Sequence, residues 1–213
     1  MKYLNVEFFK GCNSKTAISE VSFLLDSEDK NKLNHVPWAK YNYLPCVHFA
    51  MAYGSDCIFL KYYVKEKYIR AEHIAPNTAV YQDTCVEFFI SFEDQKAYYN
   101  FEFNCIGTML IGYGESKADR KLLDGQLISQ IKYQSVINND RPDSDQYWEL
   151  TVAIPFTLFG YNDLFFITGK KCRANFYKCG DNLPTPHFIT WSNISWPEPN
   201  FHLPEFFGTL HFQ

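Results

Sequence analysis

Short runs rich in Phe, Tyr, Val and Ile recur along the whole chain, each cut off by polar, Pro or Gly residues, and this restricts it to folds made of many short strands. Candidate strands fall at 47–53, 57–64, 85–92, 98–104, 108–113, 127–136, 147–154, 173–179 and 206–212. Helix-like material is confined to 27–33, 115–123 and a turn at 155–159 that Pro155 can open. Parallel neighbours need crossovers of about a dozen residues or more. Strands without intervening long helices therefore predict an all-β fold, an antiparallel β-sandwich or barrel with a few short helices. With 213 residues, 46% of them apolar, the chain can bury its own core without disulfides. It shows no internal repeat or low-complexity linker, so the expectation is a single domain over 1–213, with 138–145 as a loop inside it.

Charge and motif content exclude several classes. Twenty basic residues against 24 acidic ones, with no basic block, argue against a nucleic-acid partner. The opening MKYLNVEFFKGC lacks the apolar core of a signal peptide, and no stretch approaches the ~20 apolar residues of a membrane span. The expected compartment is the cytoplasm, or the periplasm or exterior if a signal was removed. Seven cysteines (12, 46, 57, 85, 105, 172 and 179) make an odd number without a CxxC pair, which points to neither a zinc ribbon nor a disulfide framework. Cys85 and Cys105 read as small core residues. GxSxG, HExxH, P-loop and GxGxxG motifs are absent, and Gly112-Tyr113-Gly114 is too short to cradle a phosphate.

The segment from 85 to 104 resolves further. Period-two alternation puts Val86, Phe88, Ile90 and Phe92 on one face and Cys85, Glu87, Phe89 and Ser91 on the other. With 93–96 as a hairpin loop, Glu87 lies opposite Glu102, and Phe89 opposite Asn100. One face is then wholly apolar, while the other carries Glu87, Glu102, Asn100 and Asn104. Like charges directly opposite each other destabilise a sheet, so a ligand, a cation or a third residue is expected between them. The competing reading is an outer sheet face open to water. A glycoside hydrolase would need such a carboxylate pair as acid and base or nucleophile, but cross-strand spacing is common to all sheets.

The C-terminal forty residues are the least ordinary part. Pro184, Pro186, Pro197, Pro199 and Pro204 fix an extended, ordered loop that presents Trp191, Trp196, Phe201 and His202. Aromatic faces suit the C–H face of a sugar ring, and Asn, Asp, Glu, Lys and Arg suit its hydroxyls. Phe206 and Phe207 read as core, whereas Trp191 fits core packing and ligand stacking equally.

The run VYQDTCVEFFI at 80–90, FEFN at 101–104, Gly107, the strand from Trp148 to Pro155, NFY at 175–177, TWS at 190–192 and FGTL at 207–210 resemble the family 9 carbohydrate-binding modules. The stand-alone members of Bacteroides-type bacteria are most similar. The resemblance implies a jelly-roll-like β-sandwich without catalytic activity, associated with polysaccharide degradation, which clamps a terminal sugar between two rings and carries structural calcium. By that resemblance the first ring falls at Tyr81, the carboxylate at Glu87, the basic position at Glu102, and the second ring near Phe201 or at Trp196. The usual Trp rings and basic donor are thus replaced. An ionised Glu102 only accepts hydrogen bonds or binds a cation, so the ligand's donor pattern must differ. Asp83 with Glu87 supplies at best half a calcium site. The leading expectation is non-catalytic binding of a mono- or oligosaccharide end through Tyr81, Glu87, Glu102, Asn104, Lys178, Trp191, Trp196, Phe201 and His202. The alternative is an O-glycosyl hydrolase using Glu87 and Glu102.

Overall fold

A computed structural model describes residues 2–92, 96–138 and 145–213. Most of the hairpin loop expected at 93–96, and of the loop expected at 138–145, lies outside the described residues. Along the chain run β1 (Tyr3–Phe8), α1 (Ile18–Asp26), β2 (Asn31–Leu33), β3 (Cys46–Tyr53), β4 (Cys57–Glu66), β5 (Cys85–Phe92), β6 (Tyr98–Asn104) and β7 (Met109–Gly114). They are followed by β8 (Lys121–Leu122), α2 (Gly125–Ile128), β9 (Lys132–Asn138), β10 (Gln146–Pro155), β11 (Lys171–Cys179), β12 (Phe188–Thr190) and β13 (Gly208–Phe212). No helix among the described residues is long and apolar enough to cross a membrane.

One sheet runs β8-β7-β6-β5-β11-β13 with β12 added to β11, and the other runs β3-β4-β10-β9 with β2 added to β3. β1 joins the two. Tyr3–Val6 pairs with β13 and Glu7–Phe8 with β3, both in parallel, which departs from the purely antiparallel arrangement expected. Here the parallel partners come from distant parts of the chain, so no local crossover is needed. The curled sheet folds into a β-sandwich.

Alternation explains the layering. Val86, Phe88 and Ile90 of β5 enter the central core, where Phe176 of β11 stacks on Phe49 of the facing sheet at 3.8 Å between ring centroids and on Phe88 at 5.0 Å. The opposite face of the same strands carries Phe89, Tyr98 and Tyr177, and these pack with Phe201 and Phe207 from the C-terminal segment in a second cluster. This sheet is therefore buried on both faces. On the far sheet, Val21 and Leu25 of α1 lie on Ala50, Ala52 and Ala153, small residues that leave room for a helix.

The helical expectations need correcting. Residues 27–33 lie after α1 and include β2, while 115–123 forms turns and the two-residue β8. The apolar stripe of α1 begins nine residues before the segment expected, and local polarity at 115–120 was mistaken for a helix surface. The strand expected at 127–136 is part α2, part β9.

Two residues expected at a binding site belong to the interior. Lys178 shares the inward parity of Val86, and its Nζ meets Glu66 of β4 at 3.0 Å and the Nε2 of His187 at 2.9 Å. Trp148 donates to the other oxygen of Glu66 at 2.7 Å. Burial keeps His187 neutral, with its pKa pushed down to about 3, so its Nε2 accepts from Lys178 while Nδ1–H donates to the Thr185 carbonyl. Trp191, the other interior residue, is 2% exposed and meets Phe49 and Phe176 edge-on. Its ring rests on Gly208, where a Cβ would come within 2.5 Å of Cζ3. Replacing Trp191 by Ala opens a large cavity, and urea denaturation is expected to show a loss of about 3–5 kcal/mol.

Candidate functional site

Strand register sets the floor of the site. β5 pairs with β6 so that Glu87 faces Glu102 and Phe89 faces Asn100, as alternation requires, and β11 lies on the other side with Tyr177 opposite Glu87. This face is not wetted. Glu87 is 3% and Glu102 2% exposed, because the C-terminal segment and the stretch after β7 cover them.

A third residue does join the pair, Arg120, on the side of Glu102. Its Nη1 donates to Glu102 Oε1 at 2.8 Å, and Asn100 donates to the same oxygen at 2.9 Å. Room for Arg120 comes from Gly112 and Gly114. A Cβ on Gly112 would lie 2.8 Å from Asn100 Oδ1, and one on Gly114 would lie 2.7 Å from the Cα of Arg120. Burial raises the pKa of both carboxyls, and for Glu87 the charge of Glu102 raises it further, well above the usual range. For Glu102 the guanidinium opposes the effect of burial. The pair is thus divided into an ionised Glu102 tied to Arg120 and a protonated Glu87. Cys179 donates its S–H to Glu87 Oε1 at 3.1 Å, leaving the remainder of that carboxyl to face the cleft.

Above this floor lies a cleft of about 390 Å³. Tyr81 forms one wall, on a turn held by the Asp181 N–H donating to the Tyr81 carbonyl at 3.1 Å, and Lys117 lies 5.2 Å over its ring. Trp196, 49% exposed, also lines the cleft, and its carbonyl accepts a hydrogen bond from the Trp38 indole at 2.8 Å. Phe201 reaches the cleft with one edge while its face stacks on Tyr177 at 4.2 Å. His202 is fixed by the Tyr98 hydroxyl at 2.8 Å, and burial depresses its pKa to about 3, so it is neutral. Asp181 completes the polar lining, its pKa raised to about 6 chiefly by burial.

Of the residues expected from sequence, Tyr81, Glu87, Glu102, Trp196, Phe201 and His202 meet around this cleft. Asn104, Lys178 and Trp191 do not line it. Asn104 lies on the same face but is used up locally, its amide donating to the His73 carbonyl and Asp83 and its oxygen accepting from Thr108 N–H. Lys178 and Trp191 point into the sandwich. Sequence reasoning missed Arg120, Lys117 and Asp181, and the only available signal was the pair of glycines that makes space for Arg120.

The calcium expected from the resemblance does not fit the residues offered for it. Asp83 is saturated by donors: the backbone N–H groups of Glu72 and His73, the Asn104 amide and the Arg70 guanidinium all point at its carboxylate. A carboxylate facing three hydrogen-bond donors and one cation has no vacant oxygen sites for a hard cation. Glu87, the other half, is buried and accepts the Cys179 S–H.

The comparisons agree with this architecture. None of the curated proteins matches the chain. A protein from Bacteroides uniformis described as a candidate carbohydrate-binding protein is 37% identical, with a TM-score of 0.90 over 100% of this chain and 99% of its own. A family 9 carbohydrate-binding module from Caldicellulosiruptor kristjanssonii, solved with cellotriose, is 12% identical with a TM-score of 0.63 over 100% and 94% of the two chains. The same organism's family 9 module with glucose gives 12% identity and a TM-score of 0.58, covering 100% and 96%. Residues 19–212 match the family model described as carbohydrate-binding family 9, and the chain belongs to that family.

Proposed function

We propose that the chain, as one binding domain over 1–213, holds the end of a mono- or oligosaccharide in the cleft lined by Tyr81 and Trp196. The observation that carries this reading is the meeting of a half-exposed indole and a Tyr ring with a row of fixed polar groups in a cleft of small-ligand size. Tyr81 and Trp196 offer faces for the C–H surface of a sugar ring. Protonated Glu87 donates to one hydroxyl, while Arg120, Lys117, Asp181 and Asn200 address others. Arg120 supplies the cationic donor that Glu102 cannot, so the acid at 102 works by aiming a guanidinium from the turn between β7 and β8.

The same geometry supports binding without catalysis. A glycosidase needs one free carboxylate as nucleophile or base. Glu102 is 2% exposed and its charge is spent on Arg120 and Asn100, and Glu87 keeps its proton next to it. The two modules of the same family that carry cellotriose and glucose make glucose and cello-oligosaccharides the first ligands to try.

Titration calorimetry with glucose, cellotriose and a panel of plant and host oligosaccharides is expected to find saturable binding. Tyr81→Ala and Trp196→Ala are each expected to weaken it at least about tenfold, or ~1.4 kcal/mol, with little change in Tm. Absence of binding across the panel, or full affinity in both variants, would overturn the reading. Arg120→Met leaves Glu102 buried and unpaired. It is expected to cost about 3–5 kcal/mol in denaturation and to abolish binding, while adding Glu102→Gln recovers stability without binding. Prolonged incubation with the same glycans is expected to release no reducing ends.

A further inference from the structure

Beneath the cleft the sheet register brings together two thiols that are far apart in sequence. Cys179 of β11 pairs with Cys85 of β5, both side chains leave the sheet on the side of the cleft, and Glu87 is the next residue on that face of β5. One ligand atom from each of the three lies within 4.8 Å of the others, and Cys179 Sγ is 3.1 Å from Glu87 Oε1. All three residues are buried, yet Cys179 and Glu87 border the cleft, which gives an ion a way in.

We propose that Cys85, Cys179 and Glu87 form a binding site for a thiophilic divalent cation of the zinc type, with the fourth coordination position open to the cleft. The donor set is the first argument. Two sulfurs and one carboxylate oxygen suit zinc and exclude calcium and magnesium, which take oxygen. Size is the second, since tetrahedral zinc holds its donors roughly 3.5–3.8 Å apart, which asks the Cys179–Glu87 pair at 3.1 Å to open slightly while no pair of the three exceeds 4.8 Å. Electrostatics is the third. Binding the dication releases three protons to solvent, one from each thiol and one from the Glu87 carboxyl, and leaves the Zn(S⁻)₂(carboxylate) unit with one negative charge, which the Arg120 guanidinium offsets in part. Neighbouring groups do not compete. Arg120 is held by Glu102, and Asn104, opposite Cys85 on β6, is committed to Asp83 and the His73 carbonyl.

The test uses the whole chain, reduced and stripped with a chelator, after titration of all seven thiols. Zinc is then added against a chromophoric chelator, and cobalt(II) is substituted for absorption spectra. One equivalent of zinc per chain and a thiolate-to-cobalt charge-transfer band are expected. Cys85→Ser and Cys179→Ser should each lower zinc affinity roughly 100-fold or more, and Glu87→Gln at least about tenfold. Cys46→Ser, which removes the exposed thiol beside His48, should change nothing. If circular dichroism shows either buried Cys variant unfolded, Glu87→Gln decides. Reduced protein that takes up less than one equivalent, uptake lost with Cys46, or wild-type affinity in Glu87→Gln would overturn the proposal. The readout is the metal itself, so it stands or falls independently of sugar binding.

Discussion

Two carboxyl groups placed directly across a sheet and shut off from water cannot both be ionised without a cation between them. Everything around Glu87 and Glu102 answers that constraint. Arg120 is threaded over two glycines to reach Glu102, Asn100 supports it from the same strand, and Glu87 retains its proton and takes a thiol as partner. One acid is thereby made an anchor for a guanidinium and the other a neutral donor and acceptor. A sugar hydroxyl, itself both donor and acceptor, matches a protonated carboxyl better than a carboxylate.

That arrangement depends on covering the sheet twice. β5, β6 and β11 send alternate residues into the central core, and the residues between them would face water but for the segments carrying Tyr81 and Trp196. The prolines of the C-terminal segment and the bond from Trp38 to the Trp196 carbonyl hold this cover in place. The aromatic cluster that closes the second face thus also defines the walls of the cleft.

Much of this was legible in the chain. Alternation over 85–104 gives the β5–β6 register residue by residue, because a one-residue slip would turn Phe88 and Phe101 outward and Glu87 inward. The rings at Tyr81, Trp196 and Phe201 stand out by their setting among Pro and polar residues. Arg120 was hidden because nothing local marks it. It acts through a side-chain ion pair with Glu102, from a turn stretch whose polarity resembles a helix surface. Lys178 shows the reverse error, since a charged residue in a strand reads as surface until a buried Glu66 from the other sheet is found opposite it. The meeting of Cys85 with Cys179 depends on β11 lying beside β5, a long-range pairing that spacing rules for cysteines do not reach. β1 was overlooked for a similar reason, its partners being remote.

The bridging role of β1 bears on how the molecule is made. Residues 3–6 find their strand partners in residues 209–212, with Gln213 N–H also donating to the Val6 carbonyl, while residues 7–8 pair with β3. During synthesis the sheet of β3, β4 and β10 can assemble first, but the seam between the sheets stays open until β13 emerges, leaving Tyr3–Val6 an unpaired edge until then. Such late, long-range closure slows folding and leaves a strand able to pair with a neighbouring nascent chain. The exchange of this one strand between two molecules is accordingly the simplest misassembly open to the fold.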